Sequence, residues 1–510
     1  MVRRTAPLPG HRPGHGRRAD RHRDRPRPAL GPGAGRGPRA QPERTVPPVP
    51  RLDARHLPAA AGRRTDTCRH VLRRYRVTST PVSTPPDGTA TAGPAASAPV
   101  TLDTSGSRLY AQTDGLREAG PATRVRLPGG LTAWSVTRGE VAKLLLTHPH
   151  ISKDARKSWP GYRPGSHPWL ASWVDVVSMF TSDGDDHKRL RSLVGKAFTP
   201  RRIEAMRPAV EAVVTGLLDE LEAAAPGGNP VVDLRARFSY PVPTRVICDL
   251  FGVPAGQRPE MLRVIDAVLD TSATAEQAMA TRRDLFAAMH HLIGSKRDGP
   301  AEDMTGLLLA AHEEDGDQLS EEELVSTLIL MIGAGSETAV SLIDHAVEAM
   351  LTHPGQLATV LADPGRWDDV IEESLRLHPP IMHLPLRYAT ADIDLGEGVT
   401  LRAGDLVLIA FGAHGRDPDL HDRRDAFDID REDKQHLAFG HGVHFCLGAP
   451  LARLEGRIAL PALFERFPGL SLACEPGDLR PQPSFIGNDY RELPVRLRGA
   501  GDPAPEAAAG

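Results

Sequence analysis

"HLAFGHGVHFCLGAPLARLEGRIAL", residues 436–460, sets one cysteine, Cys446, in a loop with glycines at 440, 442 and 448, then runs into a helix-forming segment. Glycines of this kind allow a tight loop and a close approach of backbone to a flat ligand. Pro450 suits the first turn of a helix. The positive end of that helix, with its free N–H groups, points back at the sulfur and favours thiolate over thiol. A thiolate kept charged inside a core needs a cation, and a metal ion is the natural one. The other cysteines, Cys68, Cys248 and Cys474, have no paired spacing, which argues against a disulfide framework and against a zinc site. Any cysteine with chemistry here works alone.

Outward from this loop, helical periodicity dominates. Apolar residues at three- and four-residue steps predict helices over 137–147, 186–197, 201–225, 257–270, 275–296, 320–352, 355–362, 366–377 and 449–466. Strand patterns are fewer, at 124–136, 384–395, 399–401, 405–411 and 493–497. The fold class is therefore mainly α (α+β), a large helical domain with small antiparallel sheets. The longest helix begins with a capping box, Ser320 and Glu323, and at 1.5 Å per residue it must cross the domain. Ala334-Gly335 in its middle gives up about 1 kcal/mol of propensity at the glycine, as if the backbone must be approached closely there.

The net charge of −3 hides an asymmetry. Residues 1–76 hold 20 Arg, no Lys and 5 acids, a balance of +15, so the other 434 residues carry −18. The segment is Arg, Pro, Gly, Ala and His without periodic apolar positions, so it cannot bury a core and is expected to be disordered. An alternative start near Val77 is expected, with 1–76 as translated upstream sequence rather than a nucleic-acid-binding arm. Residues 77–99 read as a flexible Ser/Thr/Pro/Gly linker, 100–497 as one domain, and 498–510 as a loose tail. No uninterrupted apolar run reaches the roughly 18 residues of a membrane span, and no secretory signal follows the basic start. A cytoplasmic protein without membrane or nucleic-acid partners is expected.

Three further motifs stand out. Glu373 and Arg376, at i,i+3 on the helix that Pro379 ends, read alone as a surface pair worth about 0.2–0.5 kcal/mol. In "AGSET", 334–338, Thr338 would bond its hydroxyl back to the Ala334 carbonyl and bend the helix. In "DDHKRLRSLVGKAF", His187 and Arg191 share one helical face.

Together, Phe439-Gly-x-Gly-x-His444-x-Cys446-x-Gly448-x-x-Leu451-Ala452-Arg453, the Glu-x-x-Arg helix and Ala-Gly-x-Glu-Thr resemble the cytochrome P450 family, the haem-thiolate monooxygenases. "KAFTPRR", "DLFGVP", "HGRDPDLHD" and "PSFIGN" extend the resemblance over about 100–497. It implies the cytochrome P450 fold and haem b (iron protoporphyrin IX) as cofactor. Cys446 would be the iron ligand, with Phe439 against the sulfur and Gly448 in the loop. His187, Arg191, Arg387 and His444 would hold the haem propionates. Glu373, Arg376 and Arg431 would be structural. Thr338 and Glu337 would handle protons at a turn widened around Ala334 and Gly335. Leu330, Ala334, Ile381, Leu384, Phe485 and Ile486 would line the substrate pocket, with the loop Trp169 to Val177 nearby. His383 would either pack or bond a substrate carbonyl.

The same resemblance implies a monooxygenase inserting one oxygen atom from O2 into a small-molecule substrate, bulky and apolar, of macrolactone or steroid type. Electrons would come from a ferredoxin and its NAD(P)H-dependent reductase, docked on Lys188, Arg189, Lys196, Arg201 and Arg202. The alternatives are a peroxide-driven haem-thiolate enzyme and a non-catalytic haem-binding protein.

Overall fold

The computed structural model describes residues 98–498, apart from 197, 226–228, 271–272, 298–302 and 314–318. The expected extension 1–76, nearly all of the linker 77–99 and the tail from 499 lie outside the described residues.

The helical layer is built from α1 (Gly184–Gly195), α2 (Arg207–Ala223), α3 (Pro241–Leu250), α4 (Arg258–Leu269), α5 (Ala275–Arg297), α6 (Glu321–Thr352), α7 (Trp367–Leu377) and α8 (Ala449–Arg466). α6 is the axis. Ser320 Oγ accepts the Glu323 N–H at 3.1 Å while Glu323 returns a carboxylate oxygen to the Ser320 N–H at 2.8 Å, so both ends of the capping box are closed. Leu324, Leu328, Ile332, Leu342, Ala346 and Met350 are buried in one large apolar cluster shared with α2, α3, α5, α7 and α8. By length and composition α6 could cross a membrane, although two charged residues interrupt its apolar run. Two-thirds of its most apolar window is buried inside the protein, which marks a core helix.

The helix expected over 201–225 is two. Pro200–Ala205 is capped by Thr199, and α2 restarts at Arg207 because Pro208 has no N–H to continue the first ladder. α3 was not expected from the sequence pattern.

The strands form a six-stranded sheet in the order β1 (Val100–Thr101), β2 (Thr123–Arg126), β3 (Thr132–Val136), β9 (Leu406–Ala410), β6 (His383–Ala389), β4 (Ile151–Ser152). It is mixed rather than purely antiparallel, since β3 pairs with β9 in parallel through Trp134↔Val407 to Val136↔Ile409. β6 lies antiparallel to β9, with a register shift between Leu384 and Arg387. β9 is buried at all five positions, as a central strand covered on both faces should be. Two further apolar clusters cover the sheet. One holds Leu386, Leu408, Phe485 and Ile486, and the other Val136, Leu145, Ile409 and Phe411. The sheet thus delivers Arg387 and the loop before it to the helical layer.

Candidate active site

Two glycines shape the cysteine loop. Gly440 and Gly442 have φ of +73° and +74°, and a Cβ on Gly442 would sit 2.9 Å from Thr147 Cγ2 and 3.2 Å from Leu146 O, so no larger residue fits. The Cys446 N–H donates to Phe439 O at 2.8 Å, closing the loop over Phe439. Phe439 in turn lies under the Arg453 guanidinium, 4.5 Å from the ring centroid. Cys446 is crowded by protein yet remains solvent-accessible. Burial pushes the Cys446 thiol up, while the N–H groups of Gly448 and Ala449 and the charges of Arg191 and Arg453 pull the other way. The protein alone therefore does not make the thiolate expected from the helix dipole; desolvation wins, and a cation at the sulfur has to supply the difference.

Beside the loop, cations gather from four elements. The His187 and His444 rings are 4.4 Å apart between centroids, and Arg191, one turn beyond His187 on α1, donates to Phe445 O at 2.7 Å. Arg387, from β6, is buried with no carboxylate within ion-pair distance among the described residues. Lys153, which the sequence pattern did not single out, is buried here too, with its ammonium donating to Pro385 O at 2.9 Å and lying 3.8 Å from the Phe180 ring centroid. Burial and repulsion by Arg387 pull Lys153 well below its usual range, and burial, opposed by Asp183, takes Arg387 down to about 10. Burial likewise lowers His187 and takes His444 to about 4. One carboxylate faces them. Burial raises the Asp183 pKa, but bonds from His444, Ser152 and the N–H groups of Lys153 and Asp154 reverse that and hold it far below the carboxylate range.

His187 Nε2 is buried without a hydrogen-bond partner, and His444 Nε2 has only the Asp183 carboxylate, 3.7 Å away. Buried Arg387 and Lys153, short of counter-charge, and the orphaned His187 nitrogen fit a dianionic group such as a haem carrying two propionates.

On α6 the residues Leu330, Ala334 and Thr338, one turn apart, are all partly or fully accessible. Thr338 Oγ1 donates to Ala334 O at 2.8 Å. The helix is nonetheless continuous from 321 to 352, so the widened turn expected at 334–335 is not present. Gly335 is required for another reason. A Cβ there would lie 2.5 Å from Ile247 Cδ1 on α3, so the glycine admits a neighbouring helix rather than a ligand.

Glu337 is buried and tied to Arg235, Nη2 to Oε2 at 2.8 Å. The same guanidinium serves Asp344 at 2.9 Å and also Asp489. Glu337 and Thr338 line a cavity of about 400 Å³ with Ile381, Tyr240, Asp266 and Asp489.

Glu373 and Arg376 are wholly buried, not a surface pair. Two bonds of 2.8 Å join them, and Arg376 also donates to Arg424 O and Ala426 O at 2.9 Å and to Gly415 O. Arg431 Nε reaches Glu373 Oε1 at 3.1 Å.

Of the expected pocket residues, Phe485 and Ile486 are core, at 1% and 0% exposure. Leu384 packs against the cluster around Ile409. His383 Nδ1 donates to Phe485 O at 2.9 Å, and burial lowers its pKa to about 4, so it is a neutral packing residue. Leu330, Ala334 and Ile381 remain at accessible positions.

A sequence model of the family "Cytochrome P450" matches residues 367–480, which include the Glu373 cluster and the cysteine loop. The 2-hydroxy-5-methyl-1-naphthoate 7-hydroxylase of Streptomyces carzinostaticus is 44% identical over 405 residues, 79% of this chain and 98% of that protein. The 6-deoxyerythronolide B hydroxylase of Saccharopolyspora erythraea is 39% identical over 77% of this chain and 96% of its own length. The solved structure of CYP154A1 from Streptomyces coelicolor A3(2) superposes with a TM-score of 0.74 at 49% identity, covering 78% of this chain and all of that one. The chain belongs to the cytochrome P450 family. It is a haem-dependent monooxygenase that acts on a small-molecule substrate with O2.

Proposed function

We propose that the chain is a cytoplasmic haem b enzyme that hydroxylates a bulky, mostly apolar substrate of polyketide or steroid type with electrons from a ferredoxin and its NAD(P)H-dependent reductase. The observation that carries the cofactor assignment is an accessible sulfur beside buried, under-compensated cations. The substrate class follows the relatives, one named for a naphthoate and one for a macrolactone, together with the apolar stripe of Leu330, Ala334 and Ile381.

Cys446 would hold the haem iron, with Phe439 and Gly448 shaping the loop around it. His187, Arg191, Arg387 and His444 would hold the propionates, with Lys153 adding positive charge. Bound there, haem supplies the activation of dioxygen, and the thiolate tunes it. Thr338 offers a hydroxyl beside that site and Glu337 holds a proton or accepts one behind it. Glu373, Arg376 and Arg431 keep the loop before Cys446 in register.

For docking of the ferredoxin, Lys188 is paired with Asp185 at 2.9 Å and Arg189 with Glu323, so the patch rests on exposed Lys196, Arg201 and Arg202. Electron transfer through such a patch should weaken with salt.

The test is the spectrum of the dithionite-reduced protein under carbon monoxide, followed by substrate-dependent NAD(P)H consumption with a surrogate ferredoxin. A strongly red-shifted Soret band that Cys446→Ala abolishes, and product formed from NAD(P)H, support the reading. Product formed only with peroxide would favour a peroxygenase, and haem without turnover by either route a binding protein.

A further inference from the structure

The buried cluster around Arg235 contains more carboxylates than its charge can hold. One guanidinium meets Glu337, Asp344 and Asp489. A fourth acid, Asp266 on α4, shares a hydrogen bond with Glu337 and accepts one from Tyr240 Oη at 2.7 Å. Three buried carboxylates against one cation cannot all be ionised, so some of them carry protons at neutral pH, while Asp266, crowded by the same groups, keeps its own access to solvent. Arg235, Tyr240, Asp266, Glu337 and Asp489 line the 400 Å³ cavity that also contains Thr338, and exposed Ala236, Asp270 and Arg491 lie along it too. The space is polar and roomy enough for water.

We propose that Asp266, held by Tyr240, reloads Glu337 with protons drawn from water in this cavity. The inference rests on the function proposed above, which consumes two protons for each oxygen atom inserted. In the step itself, the Asp266 carboxylic acid donates to the Glu337 carboxylate. That leaves Asp266 as carboxylate and Glu337 as acid, and Asp266 then takes a proton from cavity water, so charge and protons balance. Arg235 holds the Glu337 carboxylate in place through a bond of 2.8 Å. Asp266 acts through Glu337 and is a positioning residue, not a group at the reacting atoms.

The titration supports the geometry. Burial, then repulsion by Glu337, pushes the Asp266 carboxyl up to about 7, with the Tyr240 bond and Arg235 opposing. The groups facing it are Arg235 and Tyr240 from the segment leading into α3, Glu337 from α6, and Arg263 and Asp270 on its own helix, Arg263 being paired at 3.3 Å with Asp284 of α5. Asp266 therefore holds a proton below about pH 7 and loses it above, where the relay should fail.

The experiment uses the haem-loaded enzyme as wild type, Asp266→Asn, Asp266→Glu and Tyr240→Phe. Infrared difference spectra over pH 5.5 to 8.5 should show a carboxylic-acid C=O stretch that titrates near neutrality in wild type and is missing in Asp266→Asn. Turnover in Asp266→Asn should fall about tenfold, less than the roughly 10²-fold minimum of a group at the reacting atoms. Its solvent isotope effect should rise, and the alkaline limb of its pH profile should disappear. Asp266→Glu should restore the limb, and Tyr240→Phe should shift it. A titrating band and a pH profile unchanged in Asp266→Asn would overturn the proposal. A wild type lacking the thiolate-type carbon monoxide spectrum would instead sink the underlying functional reading, which separates the two failures.

Discussion

Two buried charge clusters are built on opposite stoichiometries. Around Glu373 one carboxylate meets two guanidiniums, Arg376 and Arg431, and the surplus donors end on backbone carbonyls. Around Arg235 one guanidinium meets three carboxylates, with a fourth behind Glu337. Surplus donors can be satisfied by carbonyl oxygens without any change of charge. Surplus carboxylates can be satisfied only by protons. The first cluster can therefore be dry and fixed, and it is wholly buried; the second opens onto a cavity and can change its charge.

The largest effect should come from breaking the fixed cluster. Arg376→Met leaves Glu373 with Arg431 alone and deprives three carbonyls of their donor. Removing one partner of a buried pair costs about 3–5 kcal/mol, so most of the haem-loaded, folded protein should be lost. Haem content per chain and the unfolding midpoint would measure it. Near-normal haem loading would mean that the two clusters are not different in kind.

Arg235→Met should cost about 3 kcal/mol at neutral pH and much less in acid. Burial already raises Asp344 and Asp489 above the usual carboxylate range, and without the guanidinium they rise further. A folded pKa above the unfolded one gives stability that is complete below about pH 4 and is lost as pH climbs through the folded value. The gap in melting temperature between variant and wild type should therefore widen from pH 5 to pH 8. A constant gap would show that the cluster keeps fixed charges after all.

A third buried acid sharpens the contrast. Glu455, on α8, is 2% exposed with no ion-pair partner among the described residues, and burial alone pushes it up to about 8. By the same sign it costs nothing below about pH 4.5 and progressively more up to pH 8. Glu455→Gln should leave stability unchanged in acid and add about 2 kcal/mol at pH 9, the amide's own desolvation taking back part of the gain. Chemical denaturation at pH 5 and pH 9 reads it directly.

Legibility in the sequence divides along the same line. The cysteine loop could be read because its glycines, His444, Cys446 and Pro450 are contiguous and each answers a local backbone demand. The Glu373 cluster could be read in part, since Glu373 and Arg376 are one turn apart, but the spacing misjudged the pair as exposed because burial depends on the distant residues 415–431. Arg235, Asp266 and Lys153 carried no local signal. They meet their partners across 102, 71 and more than 230 positions and look like ordinary surface charges in any window. α3 was hidden by Pro241 and Pro243, which read as breakers although a first helical turn tolerates both. Strands of two or three residues, such as Ile151–Ser152, are too short for a period of two to register.

The smallest effect should come from a pair that shares the elements of the fixed cluster but not its burial. Arg457 on α8 meets Asp368 on α7 through two bonds, 2.5 and 3.1 Å, with side chains 45% and 55% exposed. Four residues along each helix, Arg453 and Glu372 repeat the geometry at 27% and 30% exposure. Solvent screens the outer pair and the side chains lose rotamer freedom to form it, so its coupling should be about 0.5 kcal/mol. Raised salt should reduce it further, since exposed charges feel the ionic atmosphere. A double-mutant cycle with Arg457→Ala and Asp368→Ala at low and high salt measures this, and the same cycle on Arg453 and Glu372 should give a larger, less salt-sensitive value. Equal couplings at both sites would mean that distance between the charges, and not their removal from water, sets the strength of the α7–α8 contact.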